Sequence, residues 1–218
     1  MLLHTMFIDS ALKYKNKIAI YDQTSGKEIT YGRFLIASLM LAKKIASTEE
    51  KYIGIMLPTG AGSMISTFST LMAGNVPAMI NYSTGAEKNA IYAQNKCGFK
   101  KIITSKKLLE KLDIKFVEGM IFIEDIMESI SGLNKISALL KSKIRPYASV
   151  HKGNEDDEAI ILFTSGSEKD PKAVMLTHKN ILSNIDGILG HFHFDENDIY
   201  TEDINPSFVI GADKWEGD

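Results

Sequence analysis

The chain has 218 residues, 44% of them hydrophobic and 24% charged. That is ample for a real core, and with five prolines it excludes a disordered protein. A net charge of −2 gives no overall signal for nucleic acid. The single cysteine, Cys97, excludes an internal disulfide framework and fits a reducing compartment as a buried, inert thiol. Leu2 and Leu3 are followed by His4, Asp9 and Lys13 rather than a long apolar core, so no signal peptide is expected. The most apolar stretch, residues 52–82, is interrupted by Pro58, Gly60, Gly62, Gly74, Asn75 and Pro77, which is too broken for a membrane span. A cytoplasmic protein is expected, with a peripheral membrane position left open.

Helical and extended patterns alternate from the start. Phe7, Ala11, Leu12 and Tyr14 suggest a helix, Ile18 to Tyr21 a strand, residues 24–27 a turn, and Glu28 to Tyr31 the hairpin partner. Thr30 is placed to cap a helix continuing through Phe34, Leu35, Leu39, Leu41 and Ile45. Tyr52 to Leu57 reads as a buried strand ending at Pro58. Gly60 to Ala73 reads as a helix stopped by Gly74, and Val76 to Ile80 as the next strand, closing at Asn81 and Tyr82. A helix over Glu87 to Lys96 ends before Gly98, and Ile102 to Thr104 and Met120 to Ile123 are further strands. Strands alternating with helices predict an α/β fold, mostly parallel sheet flanked by helices on both faces.

Charge is uneven along the chain. Lys100, Lys101, Lys106, Lys107, Lys111 and Lys115 crowd one segment, and Lys135, Lys141, Lys143, Arg145 and Lys152 another. A solvated helix face explains such runs more simply than docking of an acidic partner. A boundary is expected between Pro146 and the charged run Asn154 to Glu158, giving an N-terminal α/β subdomain over 1–150 and a second unit from 151.

Residues 163–178 carry the clearest chemistry. The apolar run Ala159 to Phe163 feeds into Thr164, Ser165, Gly166 and Ser167, and a second apolar run, Ala173 to Leu176, follows. This predicts two adjacent strands joined by a loop over 164–172, then a helix from about Lys179. Hydroxyls and a flexible glycine at a strand end can offer N–H and O–H donors to anionic oxygens. Pro171 stiffens the return and Lys172 adds a cation. The common phosphate loop, Gly-x-x-x-x-Gly-Lys-[Ser/Thr], does not match, because Pro171 stands where its second glycine would fall. A plain polar turn uses the same residue types.

Thr164, Ser165, Gly166, Ser167, Pro171 and Lys172 match the signature Thr-Ser-Gly-[Ser/Thr]-Thr-Gly-x-Pro-Lys-Gly, so the chain resembles the AMP-forming acyl-acid ligases, or adenylate-forming enzymes. Glu168, Lys169 and Ala173 depart from it, and a lysine in place of the second loop glycine narrows the loop's dihedrals. Ser-Gly-Ser-Glu followed by Pro-Lys resembles one branch, the acyl-acyl-carrier-protein synthetases, including the ligase half of 2-acylglycerophosphoethanolamine acyltransferase. Thr30-Tyr31-Gly32 (with Arg33 where an acid is usual), Met56-Leu57-Pro58, Ala73-Gly74-Asn75-Val76-Pro77 and Asn81-Tyr82 are similar to earlier segments of the same family.

The resemblance implies the N-terminal subdomain of an adenylate-forming enzyme plus a β-hairpin phosphate loop. It implies ATP with Mg2+, a fatty acid, and acyl carrier protein or CoA as acceptor. Thr164, Ser165, Gly166, Ser167, Glu168 and Lys172 would bind the nucleotide, with Lys172 the catalytic candidate and no metal ligand assigned. It fades near Tyr200: a Pro-x-x-His-x-x-Gly segment, a Tyr-Gly-x-Thr-Glu stretch, a ribose-binding aspartate and a C-terminal catalytic lysine do not follow, and residues 201–218 form a divergent tail. Two readings stay open: a truncated or split ligase with a separate C-terminal half, or a non-catalytic binding module that keeps part of the fold.

Other patterns are weaker. His4 with Asp9, and His193 with Asp198, form His-x-x-x-x-Asp, a spacing loose enough to occur by chance. His191 and His193 lack the further ligands that zinc requires. Gly-x-Ser-x-Gly is absent. Met56, Met64, Met72 and Met79 are expected in the core.

Overall fold

Leu3–Lys13 (α1) opens the chain and buries Phe7, Ile8 and Ala11 along one face. A two-stranded antiparallel ribbon follows, Ile18–Asp22 (β1) against Lys27–Thr30 (β2). Tyr31–Ile45 (α2) starts where Thr30 was expected to cap it, the Thr30 hydroxyl accepting the Arg33 N–H at 3.3 Å. The computed structural model describes residues 1–22, 26–46, 49–129, 146–164 and 171–191.

Tyr52–Ile55 (β3), Ala61–Ala73 (α3), Val76–Met79 (β4) and Ala86–Cys97 (α4) then alternate. Gly74 (φ 87°) and Gly98 (φ 71°) end the two helices in the left-handed conformation that their sequence positions predicted. Ile102–Thr104 (β5), Lys106–Leu112 (α5), Met120–Phe122 (β6) and Ile123–Glu128 (α6) complete this half. Glu158–Thr164 (β7), Lys172–Thr177 (β8) and His178–His191 (α7) form the last described elements.

Six of these strands make one sheet in the order β6-β5-β3-β4-β7-β8. Every neighbouring pair is parallel except β7 with β8, the predicted hairpin. The sheet is buried on both faces, which is why β4 is buried at all its positions rather than alternately. On one face Ala90 and Ala93 of α4 pack with Val76, Ala78, Ile102 and Ile161. On the other, Leu41 and Ile45 of α2 pack with Ile53, Ile55, Met79 and Leu162. Each such side chain, fully buried, contributes about 1.5–3 kcal/mol of transfer free energy. Phe7 joins α1 to this second layer, its ring 4.3 Å from Phe34 and 4.6 Å from Phe68. Met56, Met72 and Met79 lie in these cores as expected.

Two local expectations change. β3 stops at Ile55, and Met56 and Leu57 continue as buried loop. The strand expected through Ile123 ends at Phe122, because Ile123 already begins α6. The lysine-rich segment after residue 104 contains α5, in line with the solvated helix face expected there, with the Ser105 hydroxyl accepting the Leu108 N–H at 3.0 Å and Leu108 and Leu109 turned inward. β7 pairs with β4, so the loop-bearing hairpin extends the sheet begun by residues 52–122.

Candidate functional site

The hairpin holds the candidate loop by its ends. β7 and β8 pair from Glu158 opposite Thr177 to Thr164 opposite Lys172. The two adjacent strands were predicted, but each runs one residue further toward the loop than expected, so Thr164 and Lys172 form the last pair of the hairpin rather than the ends of its loop. Ser165, Gly166, Ser167 and Glu168, with Lys169 and Asp170, lie outside the described residues. Thr164 is half-buried and Lys172 exposed.

β7 runs parallel to β4 with Leu162 opposite Met79, and β4 parallel to β3 with Met79 opposite Ile55. The ends of three strands thus rise to one level, and Met56 to Gly60, Ile80 to Gly85 and the end of β7 at Thr164 share the carboxyl edge of the sheet. That edge is where open α/β sheets bind ligands. The Asn81 carboxamide oxygen accepts the Ser83 N–H at 2.8 Å and the Ser83 hydroxyl at 2.7 Å, closing a tight turn. Asn89 braces that turn from α4, donating to the Asn81 and Thr84 carbonyls at 2.9 and 2.8 Å.

Tyr92, one turn further along α4, is a contact that sequence reasoning missed. Its hydroxyl donates to the Pro171 carbonyl at 2.6 Å, and its ring stands edge-on to Phe163 at 6.2 Å. No local signal announces it, because Tyr92 meets a backbone carbonyl 79 residues away.

The opposite edge of the sheet is different in kind. His4 is fully buried, its Nε2 bonded to the His151 carbonyl at 3.0 Å and its Nδ1 without a hydrogen-bond partner. Asp9 instead accepts the Tyr147 hydroxyl, so the His-x-x-x-x-Asp spacing at 4–9 does not form an oriented base. The repeat of that spacing at His193 and Asp198 lies outside the described residues. A cavity of about 330 Å³ opens here, lined among others by Lys51, Asn75, His151, Asp157, Glu158 and His178. Burial holds the His178 imidazole down to about 4, and the neighbouring His4 adds to the effect. This edge lies at the amino ends of β4 and β7, a strand length away from the loop.

Elsewhere, burial pushes the Cys97 thiol up, which keeps it protonated and unreactive near neutral pH. Lys107 and Lys111 project from α5 into solvent, while Lys106 pairs with Asp125. Lys135, Lys141, Lys143 and Arg145 lie outside the described residues. Among the described residues no group of three or more His, Cys, Asp or Glu converges as metal ligands, and no helix is long and apolar enough to cross a membrane.

The profile of the AMP-binding enzyme family matches residues 7–212, nearly the whole chain. The chain belongs to that family. Among AMP-binding relatives, it is 26% identical to a luciferin 4-monooxygenase of Photuris pensylvanica over 88% of this chain and 36% of that protein. It is 26% identical to 4-coumarate–CoA ligase 3 of Arabidopsis thaliana over 90% of this chain and 36% of that one. A long chain acyl-CoA synthetase, number 8, from the same plant is 29% identical over 55% of this chain and 19% of its own length. The chain therefore spans little more than a third of the luciferin 4-monooxygenase and the 4-coumarate–CoA ligase, and less of the acyl-CoA synthetase. Among solved structures, an o-succinylbenzoate CoA synthetase from Bacillus subtilis superposes with a TM-score of 0.68 at 16% identity, covering 91% of this chain and 48% of that one. VinN superposes with a TM-score of 0.67 at 18% identity, covering 87% and 47%. The shared fold is the α/β architecture with its mostly parallel sheet between helices.

Proposed function

We propose that this chain is the nucleotide-phosphate-binding part of an AMP-forming acyl-acid ligase. The reading rests on one observation: Thr164 and Lys172 face each other across the β7–β8 hairpin, at the carboxyl edge of the parallel sheet. A hydroxyl and an ammonium group brought together at a loop exit suit phosphate oxygens as donor and point charge. In the complete enzyme, the carboxylate oxygen of a fatty acid attacks the α-phosphorus of ATP. The bond from that phosphorus to the bridging oxygen breaks, leaving acyl-AMP and pyrophosphate. A thiol of acyl carrier protein or CoA then displaces AMP.

The residues of this chain hold and neutralise rather than bond. Lys172 stabilises charge as it moves onto the departing pyrophosphate, while Thr164, Ser165 and Ser167 donate and Gly166 allows close approach. Magnesium, when present, neutralises the phosphate oxygens. Glu168 lies on the same loop. The fatty acid is supported by the long chain acyl-CoA synthetase among the relatives. The carrier protein is supported by the Ser-Gly-Ser-Glu…Pro-Lys variant. The divisions at residues 150 and 200 belong to this reading as functional units, with a separate C-terminal part supplying the remaining catalytic groups. The alternative reading is a non-catalytic nucleotide- or partner-binding module that keeps part of the ligase fold; Lys169 in place of the second loop glycine, which narrows the loop's dihedrals, is the feature that supports it.

Titration of the chain with Mg–ATP tests the first reading. Lys172→Ala should weaken binding about tenfold, the worth of one charge-assisted contact. Equal affinity in the two proteins refutes it.

A further inference from the structure

We propose that Tyr92 is a positioning residue for the phosphate loop, an inference that rests on the nucleotide reading above. One side chain touches both legs of the loop. The Tyr92 ring meets Phe163, the residue before Thr164, and its hydroxyl holds the Pro171 carbonyl, one residue before Lys172. The two contacts sit on either side of the last pair of the hairpin, Thr164 with Lys172.

The base from which Tyr92 reaches is rigid. Ala90 and Ala93, its near neighbours on α4, are fully buried against the sheet, and Gly98 caps the helix. Asn89 fixes the preceding Asn81–Gly85 turn from the same helix. The carboxyl edge and the loop exit are therefore tied to one helix by side chains one turn apart.

Pro171 makes the arrangement specific. It has no N–H, so its carbonyl is the backbone handle it offers, and its fixed φ transmits the position of that carbonyl to Lys172. Without the hydroxyl, the antiparallel ladder up to Phe163–Ala173 would persist, and the last pair would be free to fray. A donor such as Lys172 supports phosphate only while it is held in place, so fraying lowers affinity without unfolding the protein.

Tyr92→Phe separates positioning from structure, since it keeps the ring against Phe163 and removes the bond to Pro171. The full chain would be compared as wild type, Tyr92→Phe and Lys172→Ala by thermal melting, by Mg–ATP calorimetry, and by amide hydrogen exchange of peptides over 163–173 and 87–97. The expected result is an unchanged melting midpoint, an ATP dissociation constant raised about fivefold, and faster exchange over 163–173 with α4 unchanged. An unaltered ATP affinity in Tyr92→Phe, with affinity lost in Lys172→Ala, overturns this proposal and leaves the nucleotide reading standing. A lowered midpoint with faster exchange in both peptides makes Tyr92 a purely structural residue and also overturns it. If wild type binds no Mg–ATP, the nucleotide reading fails and takes the role of Tyr92 with it, whatever the exchange shows.

Discussion

The backbone N–H of Leu3 donates to Nδ1 of His178 at 3.1 Å, joining residues 175 positions apart. This bond requires Nδ1 to be unprotonated, so His178 carries its proton on Nε2 and is neutral when α1 is docked. Burial also pushes the His4 pKa down, and it outweighs the Nε2 bond to the His151 carbonyl, which favours the charged form. The surrounding groups are His151, Asp157 and the chain's amino terminus, itself paired to Glu155 at 3.4 Å.

Acid should therefore loosen the docking of α1 on the start of α7. Both histidines have folded pKa values below the ordinary value near 6.5, so the unfolded state binds more protons as pH falls. Their contribution is fully present above about pH 6.5 and is lost as pH falls through their folded values, about 4 for His178, at up to about 1.4 kcal/mol per pH unit for each histidine. Denaturant midpoints across pH 4–7 measure this. His178→Gln should flatten the slope, and a slope equal to wild type would remove the explanation.

Gly54→Ala should destabilise the sheet by about 1–3 kcal/mol through overpacking. A Cβ at this position would lie 2.9 Å from side-chain atoms of Ile102, Ile80 and Phe99. Urea unfolding of the variant gives the value. A change under a few tenths of a kcal/mol would mean that these neighbours move aside freely.

Ser105→Ala should cost about 1 kcal/mol, because the hydroxyl satisfies an otherwise open N–H at the start of α5. The helix is short and buries little else, so the loss should appear as faster amide exchange over residues 106–112. Uniform destabilisation of the whole chain would be the contrary outcome.

The 218-residue chain alone should not turn over. Incubated with ATP, magnesium, a fatty acid and acyl carrier protein, it should release less than one equivalent of pyrophosphate. Stabilising the reaction needs donors around the reacting phosphorus from several directions, and the loop supplies one side. Sustained release, followed with a coupled phosphate assay, would show that this part suffices.

Much of the architecture is legible in sequence because its signals are local. Gly74 and Gly98 announce helix ends by what only glycine does easily there, and two apolar runs around Thr164 to Lys172 announce the hairpin. α5 shows in sequence only as a solvated helix face, because lysines dominate it and just two leucines mark its inner face. The gripping of the loop by Tyr92, and the pairing of His4 with a carbonyl at residue 151, could not be read. Both join side chains to backbone groups far along the chain, where residue identity leaves no trace.

The place of β7 in the sheet has a consequence for biosynthesis. Ala78 of β4 pairs with Ile161 of β7, so one edge of β4 emerges from the ribosome about 80 residues before its neighbour exists. At ordinary elongation rates that is a delay of roughly 4 to 17 seconds. Throughout it, a buried apolar strand with an open edge is exposed to other nascent chains. Newly made protein would then depend on chaperones that shield such edges, and faster translation of residues 80–160 would improve its yield more than any change to the loop.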